Sequence, residues 1–240
     1  MEQVIQLFEN YVQNFDLTNP DIKRKYDHSY RVMELSNELA NSIHLSKRDC
    51  ELAMLIGLLH DIGRFEQLKR VHSYNDFQFE HADYGATYLQ DSSFLDPLLL
   101  TEEEKLVIVS AVKYHNKYEL PNHLEERTEL FCKLIRDADK LDIFSLTLQL
   151  PKKDLGRLNP EIKKEFFLGR SCHIHPEMSS YDYVLVRLGF LHNLYFLRSF
   201  QIFSERHYLD IYFKILGEKE ELKEYFDYSR NYLEQKLKEE

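Results

Sequence analysis

Apolar positions along the chain recur at helical rather than strand spacing. Val4, Leu7, Phe8, Tyr11 and Val12 fall at i, i+3 and i+4 intervals, which gives an N-terminal helix one apolar face. After Asn19-Pro20 a longer helix is predicted through HSYRVMELSNELANSI, with Val32, Leu35 and Leu39 inward. A third helix starting near Ser46 carries ELAMLIGLLHDIG, and Gly63 is expected to close it. Periodicity weakens from Arg64 to Glu80, predicting an irregular loop with a short helix, and returns in HADYGATYLQ. TEEEKLVIVSAVKYH reads as a helix that opens on a capping box, Thr101 followed three residues later by Glu104. NKYELPNH is a loop, and EERTELFCKLIRDADKLDIFSLTLQL a long helix that Pro151 stops. Residues from Lys152 to Ser180 are polar and loop-rich. From Tyr181 onward the pattern is helical again and aromatic, with LGFLHNLYFL as a buried core helix and EKEELKEYFDYSRNYLEQKLKEE as an amphipathic surface helix. The expectation is an all-α chain: a helical bundle over 1–150 and a helical extension over 151–240, packed on it as one unit.

Composition supports this class. Only 7 Gly and 6 Pro interrupt 240 residues, and a 43% hydrophobic fraction with 16 Tyr and 16 Phe is globular rather than disordered. Cys50, Cys132 and Cys172 are odd in number and form no CxxC pair, which argues against a disulfide framework or a thiolate zinc site. They read as reduced packing residues in a cytoplasmic protein. The first residues lack the basic and apolar regions of a secretory signal, and no apolar run approaches the roughly 20 residues that span a bilayer. A net charge of -10 with only a short basic run, Lys23 to Lys25, disfavours duplex nucleic acid. A small anionic substrate remains compatible, because bound metal reverses the local field.

Chemistry concentrates in YDHSYRV, GLLHDIGRF, FEHADYGA, VKYHNKY and IRDADKLDIF, which contain His28, His60-Asp61, His81, His115 and Asp139. Imidazoles with carboxylates suit Mn, Fe, Ni, Zn or Mg. The adjacent His60-Asp61 pair ends an apolar helical run, so a carboxylate enters the core, at a cost of several kcal/mol unless a cation or donors compensate. Within DADKLD, Asp137, Asp139 and Asp142 compete as ligands. At about 100° per residue, Asp137 and Asp139 diverge by about 200°, whereas Asp139 and Asp142 lie about 60° apart and share a face.

The order His28, His60-Asp61, Asp139, with GLLHDIGRF and DADKLD in full, resembles the HD-domain superfamily of metal-dependent phosphohydrolases over residues 24–145. The resemblance implies an all-helical fold, one or two divalent metal ions and hydrolysis of phosphate esters by activated water. It implies His28, His60, Asp61 and Asp139 as ligands of a first ion, and Asp61, His81 and His115 as ligands of a second, with Asp61 bridging. Alignment to the family favours Asp139 over its neighbours, leaving Asp142 as a supporting group. Arg64 and Lys140 stand close in sequence to Asp61 and Asp139 and are expected, with Lys117, to meet phosphate oxygens; Asp61, Arg64 and Lys140 are the candidate catalytic residues.

Among the other histidines, His44, His192 and His207 read as structural, and His173 and His175 as surface residues. His72 and His123 lie in loops beside the site segments. The chain has no P-loop, no GxSxG elbow and none of the GYP signature of the cyclic-di-GMP phosphodiesterase branch. The expected partner is a small phosphorylated molecule such as a nucleotide, without duplex nucleic acid or membrane. A metal-stabilised binding or sensor module with little turnover is the alternative.

Overall fold

The structure is a computed structural model and describes residues 1–145, 156–175, 177–216 and 219–239. Among the described residues the chain is helical, with no strand, and no helix is long and apolar enough to cross a membrane. It divides into two compact units, Met1–Asp142 and Ile143–Glu240. The stop expected at Pro151 and the helix expected over 146–150 lie outside the described residues.

The first unit opens with α1 (Glu2–Val12), which buries Val4, Phe8 and Val12. Asn19 caps α2 (Pro20–Ser42), its side chain accepting from the Asp21 amide, and Pro20 occupies the first turn, where no backbone donor is needed. Ser46 caps α3 (Lys47–Leu59). Then come α4 (Ile62–Val71), α5 (His81–Asp91), α6 (Glu102–Tyr114) and α7 (Glu126–Ser145). Thr101 and Glu104 form the expected capping box at the start of α6.

Two boundaries differ from expectation. Gly63 does not close α3. That helix ends at Leu59, His60 and Asp61 form a break, with Asp61 at φ −101 and ψ 19, and Gly63 sits in the first turn of α4. The reason is close approach: a Cβ on Gly63 would lie 2.1 Å from the backbone oxygen of His81, where α4 packs on α5. Gly57 has the same role between α3 and α2, where a Cβ would meet Ser36 Oγ at 2.7 Å and Met33 Cα at 2.8 Å. The second difference is α4 itself, which fills most of the stretch expected to be irregular. Its periodicity is masked by Gln67, a polar residue that is fully buried beside Phe65 and Leu68. The Gln67 amide donates to Phe79 O at 2.7 Å and Asp76 Oδ1 at 3.1 Å, so the polar position is satisfied inside the core. His72, in the left-handed region at φ 51, closes the helix.

The second unit contains α8 (Pro160–Phe167), α9 (Ser180–Gly189), α10 (Leu197–Glu205), α11 (Tyr208–Ile215) and α12 (Glu220–Lys236). Helix α8 falls within the stretch expected to be loop, started by an Asn159 cap and Pro160. LGFLHNLYFL is not one helix: α9 ends at Gly189, a 3-10 turn spans Phe190–Asn193, and Leu194 is extended. His192 is buried against Phe166, Tyr228 and Tyr232, and burial lowers its imidazole to about 4. The α12 residues Leu222, Tyr225, Phe226 and Leu233 are buried.

Gly63→Ala is expected to destabilise the protein by roughly 1–3 kcal/mol, because a Cβ there meets backbone rather than a side chain that can move. Urea denaturation measures it. A variant as stable as the parent would show that α4 and α5 do not make this contact.

Candidate metal centre

The break between α3 and α4 delivers two consecutive side chains into the interior. His60 is fully buried, and Asp61 keeps 3% of its side chain exposed. His28 arrives from the middle of α2, His81 from the first residue of α5, His115 from the residue after α6, and Asp139 from α7. The structure brings all six residues together.

Each imidazole is fixed through Nδ1. His60 donates to Gly57 O at 2.8 Å, and His115 donates to Val112 O at 2.7 Å. His28 donates to Asp142 Oδ2 at 2.6 Å, and His81 donates to Asp76 Oδ1 at 2.7 Å. A carbonyl or carboxylate can only accept, so Nδ1 carries the proton in each ring and Nε2 is left as the ligand atom. All the Nε2 atoms converge. His28 and His60 approach to 3.2 Å, and His81 and His115 to 3.1 Å. Two imidazole lone pairs at such distances repel unless a proton or a metal cation lies between them. The donor set therefore fits divalent metal.

Asp61 divides its oxygens between the two pairs. Oδ2 faces His28 Nε2 at 3.4 Å and His60 Nε2 at 3.5 Å, while Oδ1 faces His81 Nε2 at 3.1 Å and His115 Nε2 at 3.6 Å. Asp139 Oδ1 completes the first side, 3.1 Å from His28 Nε2 and 3.6 Å from His60 Nε2. Asp142, one turn later, contacts the far nitrogen of His28 and also accepts from Arg31 at 2.7 Å. Asp137 is fully buried and belongs to none of the ligand groups.

Charge follows this geometry. Burial would raise the Asp61 carboxyl, but Lys25, His60, His115 and His28 hold it well below the usual range. Burial would likewise raise Asp139, and His28 and His60 hold it well below. Burial would lower His60, yet Asp61 and Asp139 outweigh it and hold the ring up at about 9. His115 goes the other way: burial lowers it to about 4, against the pull of Asp61. Asp76 lies at about 2, burial being outweighed by His81 and Arg64.

The three expected phosphate contacts are placed differently. Arg64 stands beside the centre. Its Nη1 donates to Asp76 at 2.7 Å and Gln67 at 2.6 Å, while Nε, buried and without a hydrogen bond, lies 3.6 Å from Asp61 Oδ1. Lys117 is held by Glu80 and by Asp83, the latter at 3.0 Å. Lys140 is buried, and burial with Arg136 nearby lowers its ammonium to about 7 against Asp137 and Asp139. Sequence reasoning missed Lys25, whose Nζ lies 2.5 Å from Asp61 Oδ2, and Asp76. Lys25 had a signal, its place one turn before His28. Asp76 had none, because it lies in an aperiodic loop.

With this geometry in view, a family comparison matches residues 26–143 to the HD domain. Residues 26–143 belong to the HD-domain family. The matched span contains every residue of the centre. HD domains bind divalent metals and are generally metal-dependent hydrolases. Comparisons with curated proteins and with solved structures gave no match.

The metal-free centre should lose stability from pH 6.5 to 9. His60 is raised from 6.5 to about 9, so its contribution is complete below 6.5 and is lost as pH rises through 9. Saturating Mn removes this dependence by displacing the proton. Urea denaturation across this window with and without Mn checks it, and a metal-free stability that is flat or rises would contradict a protonated His60.

Proposed function

We propose that this HD domain hydrolyses phosphate esters of a small phosphorylated molecule such as a nucleotide, with two divalent ions at the centre. The observation that carries the reading is the division of Asp61, one oxygen toward each imidazole pair. His28, His60, Asp61 and Asp139 would hold one ion, and Asp61, His81 and His115 the other. A set rich in imidazole favours Mn, Fe, Ni or Zn over Mg. When bound, the ions supply Lewis acidity toward the phosphoryl group and its attacking water.

The chain's own groups do the rest. Asp61 sits between the two histidine pairs and orients the attacking water. Asp142, Asp76 and the Gly57 and Val112 carbonyls keep each imidazole in one tautomer and orientation. Arg64 is rigidly held by Asp76 and Gln67 and retains a free Nε–H on the Oδ1 side of Asp61, a donor for a phosphoryl oxygen. Lys140 and Lys117 act more remotely, through the charge of Asp139 and of the Glu80–Asp83 pair.

Purified protein should carry or take up close to two Mn or Fe ions per chain and turn over members of a panel of nucleotides and generic phosphate esters. His60→Ala or Asp61→Ala should sharply lower occupancy, measured by elemental analysis, and His115→Ala should remove one ion. Full metal retention in these variants would overturn the ligand assignment. Metal retention with no turnover across the panel would favour a metal-stabilised binding or sensor module.

Asp139→Asn should nearly abolish turnover, whereas Asp142→Asn should lower it by about 10–100-fold, the usual effect of losing a partner that orients a metal ligand. Steady-state kinetics at saturating Mn separate the two. A mild Asp139→Asn beside an inactive Asp142→Asn would reverse their roles.

A further inference from the structure

We propose that Lys25 is a substrate-binding cation of this centre, a role that rests on the hydrolase reading above. Asp61 holds it in the metal-free protein, and it turns to a phosphoryl oxygen when divalent ions take that carboxylate. Lys25 lies on α2 three residues before His28, so the two side chains project from neighbouring positions on one face. Its Nζ is 2.5 Å from Asp61 Oδ2, the oxygen that also faces His28 and His60. The Lys25 side chain keeps 14% exposure against 3% for Asp61, so Lys25 is the more solvent-accessible member of the pair. Across the same carboxylate, Arg64 Nε approaches Oδ1. Each Asp61 oxygen thus has two imidazoles and one basic side chain around it.

Tyr74 ties these cations together. Its ring centre lies 5.8 Å from Lys25 Nζ, 5.8 Å from the Arg64 guanidinium carbon and 4.7 Å from that of Arg24. The Tyr74 hydroxyl donates to Asp21 O at 3.0 Å, which anchors the ring to the start of α2. Three basic side chains thus gather on one ring beside the centre in a chain of net charge -10, and of these Lys25 is the one whose carboxylate a metal ion would take.

The simpler reading is that Lys25 only neutralises Asp61. It accounts for the metal-free protein and stops there. A divalent ion and an ammonium in contact with one carboxylate oxygen repel each other, so metal uptake displaces Lys25. The nearby α2 carboxylates, Asp21 and Asp27, already pair with Arg24 and Lys23. Its place on α2, three residues before His28, keeps the displaced ammonium beside the centre, where the substrate phosphoryl group brings new negative charge.

The test uses the full chain, with calorimetric titration of Mn into metal-free protein and of inorganic phosphate into Mn-loaded protein. Lys25→Met should bind Mn more tightly, because the competing ammonium is gone. It should bind phosphate about 10–100-fold more weakly, the effect of losing one charge-assisted hydrogen bond. Lys25→Arg, which keeps the charge, should stay near the parent for phosphate. The opposite signs distinguish this role from a structural one, which would weaken both. Unchanged phosphate affinity, or Mn affinity that is unchanged or weaker, overturns the role of Lys25. If Mn-loaded parent protein binds no phosphate, the hydrolase reading falls with it. Circular dichroism checks helicity, and Lys25→Gln replaces Lys25→Met should the latter unfold.

Discussion

Asp61 is a carboxylate held almost entirely out of water, and the first unit is arranged around what that requires. Removing such a group from solvent costs roughly several kcal/mol unless positive charge and donors replace the lost hydration. Positive charge comes here from Lys25 at one oxygen and Arg64 at the other, and from a protonated His60, while the Nε2 atoms of His28, His81 and His115 complete the surround. These groups come from α2, the α3–α4 break, α4, α5 and the end of α6, so five parts of the chain meet at one charged atom pair. The same demand explains why a metal ion is welcome there. It supplies the compensation that the protein otherwise assembles from a lysine and shared protons.

The outer layer converts that demand into geometry. Every imidazole is tied at Nδ1 by an acceptor from its own or a neighbouring element, and the two types of acceptor matter. Gly57 O and Val112 O each lie three residues before the histidine they hold, so a helical carbonyl near the C-terminal end of α3 or α6 orients the ring that follows it. Asp142 and Asp76 are carboxylates from elsewhere in the chain and add charge as well as direction. Asp76 in turn is braced by Arg64 and Gln67, so the loop after α4 is fixed by the same contacts that hold the second imidazole pair.

Close backbone packing makes this convergence possible. Gly57 lets α3 settle on α2, and Gly63 lets α4 settle on His81 of α5. Both glycines flank the His60-Asp61 pair. The break that aims two consecutive side chains inward therefore sits between two points where helices touch backbone to backbone, and a small displacement at either would separate ligands that lie within a few ångströms of one another.

The sequence by itself determined a great deal here. Helical spacing and scarce breakers gave an all-α chain; the His60-Asp61 pair stood out because ionisable groups at the end of an apolar run need a reason, and His28 and Asp139 joined it through the resemblance of the whole pattern to the HD-domain family. Capping chemistry at Asn19, Ser46 and Thr101 is local and was legible for that reason. Only the tertiary structure decided matters that depend on distant partners. It showed Gln67 buried in α4 because Asp76 and Phe79 satisfy it, Gly63 as a contact point rather than a helix stop, and LGFLHNLYFL divided by a 3-10 turn. It also separated Asp139, which faces Nε2 of His28, from Asp142, which faces Nδ1 of the same ring. Helical periodicity places both on one face, and the choice between the two nitrogens rests on a residue 114 positions away from Asp142 in the chain. Lys25 at Asp61 and Lys140 in the interior have the same origin: a side chain's charge is written in the sequence, but its partner is set by which helices come together.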